Sequence, residues 1–249
     1  MSFSYYEEGL SPTERDVVRS IKRGLSSCER EFSVARLDTR RLGELFEIAK
    51  LDDPYLFHTG RLSFRYDERS PKVTVRPEYT MSKQEYAATV ETVRRRLLKI
   101  LAPAKGFSPV DAERFIHDYI VINVRYDRLT KVYSHEVTGP LCHGVGVCEG
   151  MAKTFKLMCG EVGVDCLVVT GVGVPPDKAT GKKSERHAWN VVFIDGEPFA
   201  VDVTFDASLS TEKKICYRYF NVSDEVMAES HGATDRPVPK CNKIMRGFK

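Results

Sequence analysis

The sequence predicts an α+β fold, in which a run of helices precedes an antiparallel sheet. Two observations support this class. In the first half of the chain, three Ser-x-x-Asp/Glu signals, which cap helix starts, each open an apolar stripe with helical spacing. Beyond residue 163, the apolar segments are instead rich in Val, Ile, Phe, Tyr and Thr, which is typical of strands. Helices and strands in separate runs favour an α+β arrangement over an alternating α/β one.

Helices dominate the predicted N-terminal domain, residues 1–105. Its serine signals, together with the one that opens the next domain, are Ser11–Glu14, Ser82–Glu85 and Ser108–Asp111. Asp38 caps a further helix, predicted near residues 39–50. Residues 61–79 alternate apolar and polar side chains on both sides of a turn-rich break, which predicts a β-hairpin.

A second domain is predicted for residues 106–249, because Pro, Gly and Ser cluster at residues 102–108. One helix is expected to follow Cys148 and to end at Gly163. Strand-like segments then follow, at residues 166–174, 186–195, 198–206 and 215–222. We expect the helix after Cys148 to pack on an antiparallel sheet that these segments form.

The composition, 42% apolar and 29% charged, is that of an ordinary globular protein. Its 38 basic and 35 acidic residues are interspersed, so the sequence has no basic footprint for a nucleic acid partner. No window approaches the ~20 apolar residues of a membrane span. The N-terminus also lacks the pattern of a signal peptide. We therefore expect no membrane span and a cytoplasmic location, or an extracellular one if a leader preceded this sequence. The oligomeric state is left open.

The stretch "GVGVCEG", residues 144–150, places one cysteine among three glycines directly before a predicted helix. A helix N-terminus favours a thiolate, because its unpaired N–H groups and its dipole attract negative charge. Glycines at 146 and 150 are expected to leave room for a substrate carbonyl beside the sulfur. Cys148 is therefore a candidate nucleophile, although glycines before a helix also occur in plain turns.

A base and an orienting acid can be placed by strand register. His187 opens a strand-like segment that runs into Asp195–Gly196, a strong signal for a two-residue hairpin turn. With such a turn, Asp202 falls opposite Trp189, so that His187 and Asp202 share one face as diagonal neighbours. A buried carboxylate needs a partner, and the imidazole of His187 can provide it.

Two motifs, "GVCEGMAKTFKLMC" and "RHAWNVVFIDGEPFAVDVTFD", resemble the transglutaminase-like superfamily of papain-like cysteine enzymes. Residues 1–105 are similar to the helical N-terminal extension of its bacterial members. The resemblance implies a papain-like core with Cys148 as nucleophile, His187 as general base and acid, and Asp202 as orienter. It also implies attack on a peptide or carboxamide carbonyl, a thioester intermediate, and no cofactor or metal.

The resemblance implies a protein or peptide substrate and, with it, a peptidase or amidase. The alternatives are a transglutaminase that acts on protein glutamine, or a peptide-binding scaffold that retains the triad without catalysis. The only tryptophan lies in the histidine motif, whereas animal transglutaminases use an upstream tryptophan to stabilise the oxyanion, and hydrolysis is favoured for that reason. Substrate contacts are expected at Gly146, Glu149, Gly150 and Trp189.

Further features leave alternatives open. One oxyanion donor is expected to be the backbone N–H of Cys148, and the second is left open among Asn123, Tyr126 and His143. The polar segment 173–186 leads directly to His187 and is expected to form a rim that shapes substrate choice.

A zinc site is the main chemical rival. Its sulfur and nitrogen ligands would be Cys142, His143, Cys148 and His187, but their spacing differs from that of a zinc knuckle. The remaining histidines have no comparable context and are expected to be surface or helix residues: His58, His117, His135 and His231.

Overall fold

A computed structural model describes residues 3–174, 184–245 and 247. Its contacts divide the chain into two units, Met1–Arg94 and Arg95–Lys249. Each unit contains helices and an antiparallel sheet, which confirms the predicted α+β class. The predicted domain boundary between residues 105 and 106 stays a prediction. Among the described residues, no helix has both the length and the apolar character that a bilayer crossing requires.

The first unit consists of helices and one three-stranded sheet. The helices are α1 (Tyr5–Glu8), α2 (Pro12–Ser26), α3 (Thr39–Asp52) and α4 (Lys83–Leu101), the last of which continues into the second unit. The strands are β1 (Phe32–Ala35), β2 (Thr59–Tyr66) and β3 (Lys72–Tyr79), in the order β1-β3-β2. The hairpin β2–β3 confirms the prediction from residues 61–79. Strand β1 was not predicted, because four residues are too few to show alternation.

The predicted helix caps are present. Ser11 accepts a hydrogen bond from the backbone N–H of Glu14, whose carboxylate accepts one in return from the N–H of Ser11. The same reciprocal pair joins Ser82 and Glu85. Each cap satisfies N–H groups that would otherwise lack partners at the helix start.

The second unit holds a sheet and the helices that pack on it. Its helices are α5 (Pro109–Asn123), α6 (Cys148–Glu161), α7 (Val203–Leu209) and α8 (Asp224–Met227). Strands β4 (Arg125–Tyr126) and β5 (Val145–Gly146) form a short parallel pair. The larger sheet has the order β8-β7-β6-β9, with strands β6 (Asp165–Gly173), β7 (Glu185–Ile194), β8 (Glu197–Val201) and β9 (His231–Thr234). Helix α6 packs against β6 and β7, as the sequence predicts.

One predicted strand, residues 198–206, is confirmed only in its first part, and another, residues 215–222, is wrong. Strand β8 ends at Val201, and residues 203–209 form helix α7 instead of continuing the strand. The side chain of Asp202 caps this helix, which outweighs the strand preference of the β-branched and aromatic residues that follow. Residues 215–222 form no strand and contribute only an isolated bridge, between Val222 and Ala200.

Candidate active site

Cys148 is the first residue of helix α6 and is half-buried. The preceding N-cap residue, Val147, is fixed by a 2.9 Å hydrogen bond from its N–H to the carbonyl of Ser134. The side chain of Val147 makes no hydrogen bond to this helix end. The N–H groups of the first turn are therefore available to stabilise negative charge near the sulfur.

The glycines around Cys148 serve the packing of the chain itself. A Cβ added at Gly150 would lie 2.2 Å from the carbonyl oxygen of Ser134. One added at Gly146 would lie 2.9 Å from Cγ of Pro140. The space that was predicted to admit a substrate is thus filled by neighbouring chain at both positions. Substrate contact at Gly146 and Gly150 stays a prediction. Packing within the chain already accounts for the lack of a side chain at these positions.

We expect Gly150→Ala to destabilise the protein by about 2 kcal/mol or more, because the new methyl group overlaps backbone that cannot move freely. Gly160→Ala, in the same helix, is the matched control, since a Cβ there meets nothing within 4 Å. It should stabilise the protein by about 0.5–1 kcal/mol, since alanine favours the helix. Urea unfolding of both variants measures the difference, and equal effects would contradict this explanation.

The strand register brings His187 to Asp202. Ile194 pairs with Glu197 and Asn190 with Val201, which is the register that a two-residue turn predicts. Nε2 of His187 lies 2.6 Å from Oδ2 of Asp202, and both side chains are buried. The predicted contact between these two residues is therefore present.

The imidazole of His187 is held by aromatic packing. Its ring stacks on Phe205 with a centroid distance of 4.2 Å. Trp189 lies on a second side, 6.0 Å away between centroids. Because Trp189 is only 6% exposed, its side chain packs against the imidazole and is not open to solvent. Substrate contact by Trp189 stays a prediction.

Asp202 accepts hydrogen bonds on both oxygens. Oδ1 accepts from the backbone N–H groups of Thr204 and Phe205, at 2.9 and 3.0 Å. Oδ2 accepts from His187 and also contacts Nε2 of His231 at 2.9 Å. This second imidazole corrects the prediction that His231 is a surface or helix residue, because it lies on strand β9 and is buried.

Electrostatics favour an ion pair between His187 and Asp202. Burial works against a charged imidazole, but the Asp202 carboxylate outweighs it and, with a hydrogen bond to the Cys148 thiol, raises the pKa of His187 to about 10. Burial also works against the carboxylate charge. The two imidazoles nevertheless hold the pKa of Asp202 well below its usual range.

The contacts of His187 define its orientation. Since Nε2 is engaged by Asp202, Nδ1 is the ring nitrogen left for another partner. The Cys148 thiol is near enough to His187 to help raise its pKa. In this arrangement, the imidazole can take the proton of the thiol while the carboxylate stabilises the resulting imidazolium.

Tyr126 is the oxyanion candidate that lies beside the thiol. Although Tyr126 is 54% exposed, partial burial of its hydroxyl, followed by the nearby sulfur of Cys148, raises the pKa of Tyr126 to about 12. Its strand β4 pairs with β5, which places Tyr126 opposite Gly146. By contrast, the amide of Asn123 donates to the carbonyl of Tyr119, and the ring of His143 stacks on Tyr133.

Glu149 takes part in a charged cluster beneath the start of helix α6. Its carboxylate lies 2.7 Å from Nζ of Lys153, which is buried and also 2.9 Å from Glu136. His135 approaches the other oxygen of Glu149 at 3.5 Å. Substrate contact by Glu149 stays a prediction. In the structure, Glu149 connects the start of helix α6 to His135 directly and to Glu136 through Lys153.

The other histidines differ from the prediction in part. His58 is buried and stacks on Tyr79 and Tyr86, so it is neither a surface nor a helix residue. His117 lies in helix α5, as predicted, but is buried and contacts Asp206 at 3.1 Å. Both were missed because burial of a single histidine leaves no periodic signal in a sequence.

Among the described residues, the side chains grouped closely enough to hold a metal are His187, Asp202 and His231. Cys142 and His143, proposed above as zinc ligands, are not in this group. Nε2 of His187 and Nε2 of His231 lie 2.6 and 2.9 Å from Oδ2 of Asp202, which are the distances of direct hydrogen bonds. Ligands that surround one zinc ion stand farther apart, since each lies about 2.0–2.2 Å from the metal. Of the predicted rim, residues 175–183 lie outside the described residues.

Residues 100–203 match the family model of the transglutaminase-like superfamily. The resemblance that the two sequence motifs predict is thereby confirmed for this segment, which is similar to a transglutaminase-like core. The matched segment contains Cys148, His187 and Asp202.

Two curated relatives are both named kyphoscoliosis peptidase. The mouse protein is 34% identical over 77 residues, which are 29% of this chain and 12% of the relative. The human protein is 35% identical over 65 residues, 25% of this chain and 10% of the relative. The chain therefore spans about a tenth of the length of these relatives.

Two solved structures are similar at low identity. A TGase crystal structure has a TM-score of 0.41 and 14% identity, over 74% of this chain and 52% of that one. A cysteine protease candidate from Cytophaga hutchinsonii has a TM-score of 0.37 and 12% identity, over 59% and 66% of the two chains.

Proposed function

We propose that this protein is a cysteine-dependent hydrolase that cleaves peptide or carboxamide bonds through a thioester on Cys148. The observation that carries the proposal is the position of His187, whose Nε2 lies 2.6 Å from Oδ2 of Asp202 and whose pKa is raised in part by the Cys148 thiol. The transglutaminase-like core supports the reaction class. The name of the mouse and human relatives, kyphoscoliosis peptidase, supports hydrolysis over cross-linking.

The first half of the proposed reaction acylates the sulfur. Nδ1 of His187 takes the thiol proton, and the thiolate of Cys148 attacks the carbonyl carbon of the substrate. A carbon–sulfur bond forms while the π electrons of the carbonyl move to its oxygen. When the tetrahedral intermediate collapses, the carbon–nitrogen bond breaks, and His187 gives its proton to the leaving amine.

The second half releases the acyl group. Water enters, His187 takes one of its protons, and the hydroxide oxygen bonds to the thioester carbon. The carbon–sulfur bond then breaks, the acid leaves, and Cys148 returns to the thiolate beside the imidazolium. Throughout, Asp202 keeps its charge and stabilises the imidazolium without taking the proton.

The oxyanion can be stabilised by two donors that lie near the sulfur. The backbone N–H of Cys148 lies at the start of helix α6, and the Tyr126 hydroxyl is near enough to Cys148 for the sulfur to raise its pKa. When a carbonyl oxygen arrives, this N–H and the Tyr126 hydroxyl can both donate to it.

Mass spectrometry of the intact protein tests the proposal. After incubation with a panel of peptide amides, we expect an acyl adduct on Cys148 and release of the free acid, and neither in Cys148→Ala. An amide formed with an added amine would identify a transglutaminase instead.

Alkylation by iodoacetamide tests the scaffold alternative, with two other half-buried cysteines, Cys28 and Cys216, as internal references. An activated Cys148 should react much faster than both references at neutral pH. Equal rates, together with no adduct, would overturn the enzymatic proposal.

We expect Tyr126→Phe to lower kcat for hydrolysis of a reactive peptide amide by roughly 10–100-fold, because one oxyanion donor is lost. KM should change little, since the hydroxyl acts mainly on the transition state. Tyr133→Phe, which removes a hydroxyl from a tyrosine that stacks on His143, is the control and should retain activity. An unchanged kcat in Tyr126→Phe would exclude this tyrosine as a donor.

A further inference from the structure

His231 holds an unusual position for a residue outside the triad. Its Nε2 lies 2.9 Å from Oδ2 of Asp202, the same oxygen that His187 contacts at 2.6 Å. The two rings lie 5.4 Å apart between centroids. The side chain of His231 is only 2% exposed, so water does not replace this contact. One carboxylate oxygen is therefore shared between two buried imidazoles.

The contacts of His231 fix which of its nitrogens carries a proton. Nδ1 lies 3.0 Å from the hydroxyl of Ser230 and 3.2 Å from the carbonyl of Met227. If the ring is neutral, the ring proton is on Nε2, where it faces the carboxylate of Asp202. If the ring is charged, Nδ1 donates to the Met227 carbonyl and Nε2 is again protonated. A bare Nε2 would instead bring its lone pair against an ionised carboxylate, which is repulsive.

Packing holds His231 in this orientation. Its ring makes an edge-to-face contact with Trp189 at 4.8 Å between centroids and lies 4.9 Å from Phe205. The Ser230 hydroxyl, which contacts Nδ1, is itself 2.9 Å from the hydroxyl of Tyr219. Aromatic neighbours on the ring and polar partners on both nitrogens stabilise this orientation of His231.

We propose that His231 is a positioning residue that weakens the hold of Asp202 on His187 by donating to the same carboxylate oxygen. Each donor to a carboxylate lowers the affinity of that oxygen for further protons. With His231 in place, the His187 imidazolium is a stronger acid than Asp202 alone would make it. Given the proposed hydrolysis, a stronger acid gives its proton more readily to the leaving amine.

Several other ionisable groups act on this pair. They are Cys148 beside His187, Asp206 one turn along helix α7 from Asp202, and Tyr219, which reaches His231 through Ser230. The thiol acts directly on the charge of His187. The test therefore uses a Cys148→Ser background, in which the imidazole titrates without it.

The test is the pKa of His187, followed by NMR of ¹⁵N-labelled imidazoles. In the Cys148→Ser background, we expect His231→Phe to raise this pKa by about one unit, because Asp202 then has a single imidazole partner. His231→Gln keeps an N–H donor, so its shift should be less than half as large. A His231→Phe variant in which the pKa of His187 is unchanged or falls would overturn the proposal, as would equal shifts in the two variants.

A control and a second measurement protect the test. His58→Gln removes a buried histidine of the other unit and should leave the pKa of His187 unchanged, even if the protein is less stable. If His231→Phe does not fold, the ¹⁵N chemical shifts of the unmutated protein still test the proposal. An unprotonated Nε2 on His231 at neutral pH would overturn it, because His231 could then not donate to Asp202. The readout is a titration and not turnover. If the proposed hydrolysis is wrong, the titration of His187 can still be measured. A failure of the proposed hydrolysis can therefore be distinguished from a failure of the proposed role of His231.

Discussion

Asp202→Asn is expected to slow hydrolysis by roughly 10³–10⁴-fold. An asparagine that keeps its oxygen on the backbone N–H groups of Thr204 and Phe205 turns its NH₂ toward His187. Nε2 of His187 must then accept a hydrogen bond, which moves the ring proton to Nδ1. In this tautomer, Nδ1 cannot take the proton of the Cys148 thiol.

The effect of the same substitution on Cys148 can be measured without a known substrate. At pH 6, an ordinary thiol is less than ~1% ionised, whereas a thiol paired with an imidazolium is largely thiolate. Alkylation of Cys148 by iodoacetamide at pH 6 should therefore slow by about 100-fold in Asp202→Asn. Asp52→Asn removes a buried carboxylate from the other unit and should leave this rate unchanged. A rate within about twofold of the unmutated protein in Asp202→Asn would mean that the imidazole does not activate the sulfur.

The stability of the protein is expected to fall as the pH rises from about 6.5 to 10. The folded-state pKa of His187, about 10, lies above the unfolded value of about 6.5. The ion pair therefore stabilises the fold fully below pH 6.5, and this contribution is lost as the pH rises through about 10. At the full shift it amounts to roughly 5 kcal/mol, an upper bound for a pair that is coupled to the nearby thiol.

The difference in free energy of unfolding between the unmutated protein and His187→Gln isolates this contribution. Other groups titrate in the same range, among them Glu113, whose pKa burial raises to about 8, and they affect both proteins equally. Urea unfolding between pH 6 and 10 should give a steeper loss of free energy of unfolding in the unmutated protein. Parallel pH profiles would show that His187 has no raised pKa in the folded state.

The pairing of His187 with Asp202 was predictable because it depends on local signals. Asp195–Gly196 fixes the turn, and the period-2 alternation of a strand then fixes which residues share a face. Pro198, which cannot donate to the ladder, pairs with Phe193 without shifting this register. The position of Cys148 at a helix start follows in the same way from the apolar stripe after it.

Other parts of the site depend on contacts that a sequence does not display. His231 reaches Asp202 only because strand β9 pairs with β6, and its residues His-Gly-Ala-Thr show no strand pattern. The role of Gly150 depends on the carbonyl of Ser134, which approaches from a separate segment. Helix α7 was missed although Asp202 is a common N-cap residue type, because Val203 and Phe205 favour a strand.

The carboxylate of Asp202 joins the end of a strand to the beginning of a helix. Rotation about its Cα–Cβ bond would break its bonds to two backbone amides and to two imidazoles together. The entropy of ordering this side chain is consequently lost during folding, and none remains to be lost when a substrate arrives. In the proposed hydrolysis, this carboxylate is therefore already ordered before the reaction begins.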